Sequence, residues 1–138
     1  MIDPRTEKGG HALERLATER IAWLTSVTPD GQPQTMPIWF LWDDGEILIY
    51  SRRIARRNRN LRANPKVAFH LADDGKGDDI ISIEGEARFE PEAPPSKDNP
   101  AYVAKYQTFL DEYGWSPEYL SQEYPHAVRI RPTAIIIE

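Results

Sequence analysis

The sequence of 138 residues contains no cysteine, which excludes disulfide bonds, a thiolate nucleophile and thiolate metal ligands. It also lacks any apolar run approaching the roughly 20 residues that a membrane-spanning helix needs. Its N-terminus has no apolar segment of the secretory type, so we expect a cytoplasmic protein with no membrane partner. The length suits one compact domain and is too short for two, which predicts a single domain over residues 1–138.

Histidine is scarce, and the common catalytic motifs are missing. His11, His70 and His126 are scattered, and none belongs to a pair with metal-ligand spacing, so no metal site is predicted. The motifs of serine hydrolases, P-loop proteins and dinucleotide-binding folds are absent. The sequence therefore predicts no catalytic side chain, and any reaction would depend on a bound cofactor that the protein positions.

Acidic residues are missing from one segment of an otherwise acidic chain. Between Ser51 and Ala72 there are seven basic residues and no Asp or Glu, whereas the whole chain has a net charge of −5. Six of them are arginines in one run, namely Arg52, Arg53, Arg56, Arg57, Arg59 and Arg62. A local basic excess in a negative protein predicts a confined anion site, because nucleic acid binding usually requires a broad basic face.

The arginine run has the pattern of a short helix. It should end near Asn64, because the residue before a proline is pushed out of the helical region. At about 100° per residue, Ile54 and Leu61 share one face, with Asn58 close to them. We therefore expect this face to pack against the rest of the protein.

The helical phase divides the arginines by direction. Arg56 and Arg59 should point to solvent, while Arg53 and Arg57 flank the buried face. Guanidinium groups on a short helix after a strand can hold a phosphate by charge-assisted, often bidentate hydrogen bonds. Arg57 is the first predicted phosphate ligand, followed by Arg56 and Arg53, and Ser51 could add a hydroxyl or a backbone N–H.

Three antiparallel strands are predicted in the first half of the chain. A short amphipathic helix over residues 10–19 precedes a strand over residues 20–28, which is rich in β-branched and aromatic residues. The turn motifs P-D-G and D-D-G then connect it to strands over residues 33–43 and 46–51. These segments should pair as consecutive hairpins.

The strand predicted over residues 33–43 is apolar on both faces. Its alternating side chains form two sets, with Met36, Ile38, Phe40 and Trp42 on one side and Trp39 and Leu41 on the other. A strand of a one-sided sheet would alternate with polar residues. We therefore expect this strand to be covered twice, by a barrel interior and by a helix or a second subunit.

The second half of the chain supplies further strands and two helices. Strands are predicted over residues 66–72 and 80–89, followed by a proline-rich loop and a helix that has Asn99 as its N-cap and ends at Gly114. A second short helix starts near Ser116, and the chain closes with a strand over residues 126–138. This order predicts a mainly β fold of the α+β class, a six- to seven-stranded antiparallel β-barrel with short helices over its openings.

The sequence also resembles a known family. The segments that carry the resemblance are T18-E-R-I-A-W-L-T-S-V-T-P-D-G-Q-P-Q-T-M-P-I-W-F-L-W-D43, I49-Y-S51 and R57-N-R-N-L-R-A-N-P-K-V-A-F69. They are similar to the pyridoxamine 5′-phosphate oxidase-like split β-barrel superfamily, and within it to small deazaflavin (coenzyme F420)-dependent reductases. The resemblance covers nearly the whole chain.

The resemblance implies a homodimer of split barrels with a flavin or deazaflavin in a groove between the subunits. The strand from Gln34 to Trp39 would run beside the tricyclic ring, and Ser51 and Arg57 would contact the phosphate. The family usually has Lys at the position of Arg57, so the contact could shift to Arg56. The cofactor-binding residues expected in this way are Gln34, Thr35, Met36, Pro37, Ile38, Trp39, Ser51, Arg53, Arg56, Arg57 and Asn60.

Several functions are compatible with these expectations. The leading one is an F420-dependent oxidoreductase that transfers a hydride between the deazaflavin and a small unsaturated or oxidised organic substrate. FMN is the alternative cofactor, and a cofactor-binding protein without turnover is the alternative function. A single-strand nucleic acid binder with Trp39 as a stacking platform is disfavoured by the acidic remainder of the chain. Pyridoxamine phosphate oxidase activity itself is disfavoured, because the C-terminal segment A134-I-I-I-E138 lacks the Arg and His with which true oxidases of that kind bind the substrate phosphate.

Overall fold

Seven antiparallel strands form one curled sheet in the computed structural model, which describes residues 1–138. The strands are β1 Ala22–Val27, β2 Pro33–Ile38, β3 Leu41–Asp43, β4 Glu46–Ser51, β5 Lys66–His70, β6 Ile81–Phe89 and β7 His126–Ile137. The α-helices are α1 Glu7–Thr18, α2 Arg56–Ala63, α3 Pro100–Tyr113 and α4 Pro117–Glu123. A short 3₁₀ helix, Ser96–Asp98, precedes α3. No helix has both the length and the apolar character that crossing a membrane requires.

The strand order confirms the predicted split barrel. Across the sheet the strands follow the order β2-β1-β5-β6-β7-β4-β3, so β2 and β3 occupy opposite edges. Only Trp39 and Phe40 separate these two strands in the chain. The sheet must therefore curl until its two edges approach each other, which produces an antiparallel barrel that is open along one seam.

The prediction of one continuous strand over residues 33–43 is wrong, because the chain leaves one sheet edge at Ile38 and joins the other at Leu41. Phe40 lies between the two ladders, and side chains from α3 satisfy its backbone groups. Its N–H donates to the hydroxyl of Tyr106 at 2.7 Å, and its carbonyl accepts from Nζ of Lys105 at 2.8 Å. These bonds replace the ladder bonds that an uninterrupted strand would have made.

The double coverage predicted for this segment is confirmed. Ile38 and Phe40 are buried in the barrel interior, where Trp42 packs against them. Trp39 packs on the opposite side, in a second apolar cluster formed with α3 and α4. Met36 is an exception, because 59% of it is exposed to solvent.

Helix α2 ends at Ala63, as the proline signal predicts, but it begins only at Arg56. Ile54 therefore precedes the helix and does not share a buried face with Leu61; it is 86% exposed, whereas Leu61 is buried. Arg53 also precedes the helix and is exposed, so it does not flank the buried face as expected. Asn58 is buried and donates from Nδ2 to the carbonyl of Arg52 at 2.6 Å, which ties the preceding turn to the helix.

The caps of α3 are those the sequence predicts. Asn99 accepts the N–H of Tyr102 through its side chain, and Gly114 ends the helix in the left-handed region at φ 69°. The aromatic stripe of α3 faces the outer side of the barrel, where Tyr106 is fully buried. Helix α3 thus lies against the junction between β2 and β3, with α4 beside it, capped by Ser116.

Candidate functional site

A cavity of about 430 Å³ lies between the end of β2, the beginning of α2 and the two helices α3 and α4. Its walls are mostly aromatic or aliphatic and contain no acidic residue. The lining residues are Pro37, Ile38, Trp39, Tyr50, Arg57, Tyr102, Tyr113, Trp115, Leu120 and Tyr124. This volume and this kind of lining are typical of small-molecule sites.

Arg57 is the one cationic residue that lines the aromatic cavity. Its Nε donates to the hydroxyl oxygen of Ser51 at 3.0 Å. Ser51 is completely buried at the end of β4, so its hydroxyl holds the guanidinium in a defined position. Burial lowers the pKa of Arg57, yet an arginine remains charged under any ordinary condition. The cavity therefore contains a fixed, partly desolvated positive charge.

That charge has no carboxylate partner. Of the six arginines outside the run, five form salt bridges, as Arg129 does with Asp43 at 2.8 Å. None of the six arginines in the run forms one. A partly buried cation without a counter-ion is unfavourable, and an anionic ligand would supply the missing charge. The arrangement fits a phosphate or carboxylate group at Arg57.

The aromatic wall is held in place by stacking. The rings of Trp39 and Tyr106 lie parallel, with centroids 4.4 Å apart and an interplanar angle of 4°. Tyr50 and Tyr102 meet edge to face at 4.8 Å. Burial raises the pKa of both Tyr50 and Tyr102, so these phenols remain protonated. Flat rings and protonated hydroxyls suit a planar, partly polar ligand.

A second, polar depression of about 540 Å³ lies on the other side of α2. It is lined by Thr28, Pro29, Asp30, Gln34, Arg56, Arg59 and Asn60. Asn60 is buried and donates from Nδ2 to Oγ of Ser26 and to Oε1 of Gln34, both at 2.9 Å. This bridge fixes α2 to the first two strands, while Arg56 and Arg59 stay exposed at the rim.

The residues predicted from the sequence are divided by the structure into three groups. Pro37, Ile38, Trp39 and Arg57 line the aromatic cavity, with Ser51 directly behind Arg57. Gln34, Arg56 and Asn60 line the polar depression. Thr35, Met36 and Arg53 line neither; Oγ1 of Thr35 is hydrogen-bonded to Oγ1 of Thr25 at 2.7 Å across the β1–β2 pair, and the other two are exposed.

The part of the cavity lining that the sequence did not predict comes from the end of β4 and from the segment that contains α3 and α4. The missed lining residues are Tyr50, Tyr102, Tyr113, Trp115, Leu120 and Tyr124. One signal was present, because five of the six tyrosines fall between residues 102 and 124. Tyrosine combines an apolar ring with a polar hydroxyl, so such a segment can both pack on the barrel, as Tyr106 does, and line a ligand cavity, as Tyr102, Tyr113 and Tyr124 do.

Comparisons with known proteins agree with this architecture. A conserved hypothetical protein of Mycobacterium tuberculosis, Rv2991, is 27% identical, with a TM-score of 0.72 over 94% of this chain and 82% of that one. A structure described as an F420 reductase is 24% identical, with a TM-score of 0.66 over 89% and 94% of the two chains. A FAD-binding protein of Mesorhizobium loti is 20% identical, with a TM-score of 0.66 over 91% and 87%.

Relatives with this fold thus include an F420 reductase and a flavin-binding protein. No curated protein is significantly similar to the chain in sequence. The family model described as pyridoxamine 5′-phosphate oxidase matches residues 10–136, which is almost the entire sequence. The chain therefore belongs to the pyridoxamine 5′-phosphate oxidase family.

Proposed function

We propose that this protein is an F420-dependent oxidoreductase acting on a small unsaturated or oxidised organic substrate. The observation that carries the proposal is the uncompensated guanidinium of Arg57, held by Ser51 inside an aromatic cavity. A deazaflavin has both features that this site complements, a planar ring system and a phosphate. When bound, it supplies hydride transfer, for which the protein itself offers no redox group.

The protein's own residues would bind and orient. Arg57, held in position by Ser51, would bind the phosphate, and Trp39, fixed by its stacking on Tyr106, would form a rigid wall for the ring. Helices α3 and α4 cover the cavity and limit the access of water. Holding two reactants at short distance in a dry site accounts for much of the rate enhancement in such reactions.

The polar depression favours F420 over FMN as the cofactor. FMN carries one phosphate, which Arg57 would bind. F420 also carries a phosphodiester-linked tail of glutamates, for which Arg56 and Arg59 provide a second cationic region on the other side of α2. FMN remains the alternative cofactor if these two arginines do not contribute to binding.

A homodimer with the cofactor at the subunit interface is part of the proposal. Five residues lie in register across five strands on the outer face of the sheet, in the order Pro37, Trp23, His70, Ser82 and Ile136. No helix of the same chain covers the middle of this row, and Trp23 and Ile136 are 39% and 47% exposed. Because Pro37 also lines the cavity, a second subunit on this face would border the cofactor.

Titration of the purified protein with F420 and with FMN tests the cofactor. Trp39 and Trp115 line the cavity, so binding should change the tryptophan fluorescence. We expect saturable binding of F420 that is tighter than that of FMN, together with a dimer in light scattering. Saturable binding of FMN without any response to F420 would contradict the deazaflavin assignment, and a monomer at micromolar concentration would contradict the dimer.

A cofactor-binding protein without turnover is the second candidate. It is favoured by one feature of the cavity, whose lining contains phenols and one guanidinium but no carboxylate or imidazole. Reduced F420 mixed with the protein and a quinone acceptor distinguishes the two functions. Enzymatic turnover requires oxidation of F420 at a rate proportional to the protein concentration, while a storage protein would bind the cofactor and leave that rate unchanged.

The nucleic acid alternative loses its main support. Trp39, the predicted stacking platform, already stacks on Tyr106 and is covered by α3. One face of the indole ring is therefore occupied, and the other lines the aromatic cavity that α3 and α4 border, where only one cationic residue is present to meet a nucleic acid backbone.

A further inference from the structure

Tyr102 differs from the other buried tyrosine of α3 in the use of its hydroxyl group. Tyr106 is fully buried, and its hydroxyl accepts the N–H of Phe40 at 2.7 Å and donates to the carbonyl of Arg20 at 2.6 Å. Tyr102 is only 2% exposed, yet no protein group is hydrogen-bonded to its hydroxyl. The only fully buried side-chain polar atom without a hydrogen-bond partner is Oδ1 of Asn58, so the Tyr102 hydroxyl retains some accessible surface although the residue as a whole is buried. Because Tyr102 lines the aromatic cavity, this hydroxyl is free to bind a ligand there.

The position of the Tyr102 ring is fixed on two sides. It meets Tyr50 edge to face at 4.8 Å and lies against Tyr106 at 5.0 Å. Asn99 caps α3 by accepting the N–H of Tyr102, and its Nδ2 donates to the hydroxyl of Tyr50 at 3.2 Å. Tyr50 is thereby connected to the start of α3, and Tyr106 belongs to the same helix. The ring cannot turn freely, and its hydroxyl belongs to the lining of the aromatic cavity.

The electrostatic environment connects Tyr102 with Arg57. Burial raises the pKa of Tyr102 well above its ordinary value, and the positive charge of Arg57 opposes that rise. The interaction also affects Arg57. Burial lowers the pKa of Arg57, and the nearby Tyr124 and Tyr102 oppose that decrease. The phenol therefore remains a hydrogen-bond donor close to a fixed cation that has no counter-ion.

We propose that the hydroxyl of Tyr102 is a second donor to the phosphate group that binds at Arg57, whose guanidinium is held from behind by Ser51. The anion site is then formed by both halves of the protein, with Arg57 contributed by the barrel side and Tyr102 by α3. Both groups donate, and an oxyanion with several acceptor oxygens can satisfy them together. This assignment rests on the proposed cofactor site, since it takes the anion to be the phosphate of the cofactor.

The test compares ligands with and without a phosphate; FMN and riboflavin differ only in that group, whereas the deazariboflavin fragment of F420 also lacks the glutamate tail. Wild type and Tyr102→Phe are titrated with FMN and riboflavin, and with F420 and its phosphate-free deazariboflavin fragment. The substitution keeps the ring and its packing, and unchanged melting temperatures of the unliganded variants verify this. Tyr119→Phe is the matched control, because Tyr119 is 41% exposed on α4, hydrogen-bonded to Glu123 and outside the cavity lining.

We expect Tyr102→Phe to weaken binding of the phosphate-bearing ligands about tenfold, the usual loss for one hydrogen bond to a charged group. Binding of the two phosphate-free ligands should be unchanged, and Tyr119→Phe should bind all four as wild type does. In a further measurement, inorganic phosphate should raise the melting temperature of wild type more than that of Tyr102→Phe.

Three results would overturn the assignment. Equal losses for ligands with and without phosphate would mean that Tyr102 contacts the ring or only shapes the cavity. If Tyr102→Phe bound every ligand as tightly as wild type does, the hydroxyl of Tyr102 would not contribute to the anion site. Absence of any phosphate-dependent binding by wild type would mean that there is no anion site. Turnover is not measured in any arm, so failure of the proposed enzymatic function leaves these outcomes distinct.

Discussion

The two sides of helix α2 carry arginines from the same run and yet form very different surfaces. On one side Arg57 lies inside an aromatic cavity and is hydrogen-bonded to a buried serine. On the other side Arg56 and Arg59 rim an open polar depression that also contains Asp30. Neighbouring residues of identical chemistry thus differ in burial, in hydration and in the presence of a nearby acid.

The difference matters because the strength of an ionic contact depends on its solvent. A charge inside a partly dry cavity interacts strongly with a ligand, whereas a charge at an open rim is screened by water and salt. We therefore expect Arg57 to determine affinity for the phosphate, and Arg56 and Arg59 to modulate binding of longer anionic ligands.

Replacement of Arg57 should have the largest effect. Arg57→Ala removes a partly buried charge-assisted hydrogen-bond donor, so affinity for F420 and FMN should fall about 10- to 100-fold. Isothermal titration calorimetry would measure both losses. Arg59→Ala is the matched control on the same helix and should change FMN affinity less than about twofold. Equal losses for the two variants would contradict the division of the helix into two sides.

Removal of the Tyr106 hydroxyl should have the next largest effect, on stability and on the cavity wall. Tyr106→Phe leaves the N–H of Phe40 and the carbonyl of Arg20 without their partner. We expect the free energy of unfolding to fall by about 2 kcal/mol, measured by urea denaturation, because buried backbone groups lose hydrogen bonds. Tyr119→Phe serves as the exposed control. If Tyr106→Phe lost no more unfolding free energy than this control, the Tyr106 hydroxyl would not stabilise the chain between β2 and β3.

Neutralising the rim should have a smaller effect that depends on salt. The double variant Arg56→Gln/Arg59→Gln removes both charges at the rim of the polar depression. Its affinity for F420 should be about fivefold lower than that of wild type at low ionic strength, while its affinity for FMN should be unchanged. The difference should shrink as salt is added, because exposed charges are screened. If FMN and F420 lose affinity equally, the rim does not contact a tail and the preference for F420 loses its basis.

The last effect appears only at alkaline pH and concerns the amine behind the cavity wall. Burial lowers the pKa of Lys105 from 10.5 to about 8, while its Nζ donates to the carbonyl of Phe40. Between about pH 8 and 10.5 the unfolded chain holds a proton that the folded protein has lost, so raising the pH favours folding. The free energy of unfolding of wild type should therefore rise relative to Lys105→Met across this window. A flat difference would contradict the lowered pKa.

Local signals in the sequence were sufficient for much of the fold. The cap at Asn99 and the glycine at Gly114 delimit α3, and the proline after Asn64 ends α2. These predictions succeed because caps and prolines act through the backbone of adjacent residues. Ile54 was misplaced for a related reason: periodicity indicates which residues share a face of a helix but not the residue at which that helix begins.

The candidate site was only half predictable. Arg57 and Ser51 were identified from helical phase and from their position at a strand end, and the structure brings them together, with Arg57 in the cavity and Ser51 buried behind it. The opposite wall, with Tyr102 and Trp115, comes from a segment about 50 residues further along the chain. No local pattern specifies which surface such a helix covers, because that depends on packing between distant elements.

By itself, the sequence determined the strands, the caps, the acid-free arginine run and the two-sided apolar segment around Trp39. The tertiary structure alone decided that this segment breaks at Phe40 and joins opposite edges of the sheet. It also decided which arginine meets an aromatic cavity and which meets solvent. The physical reason is that backbone conformation follows from neighbouring residues, whereas desolvation and the lack of a counter-ion arise only when remote segments pack together.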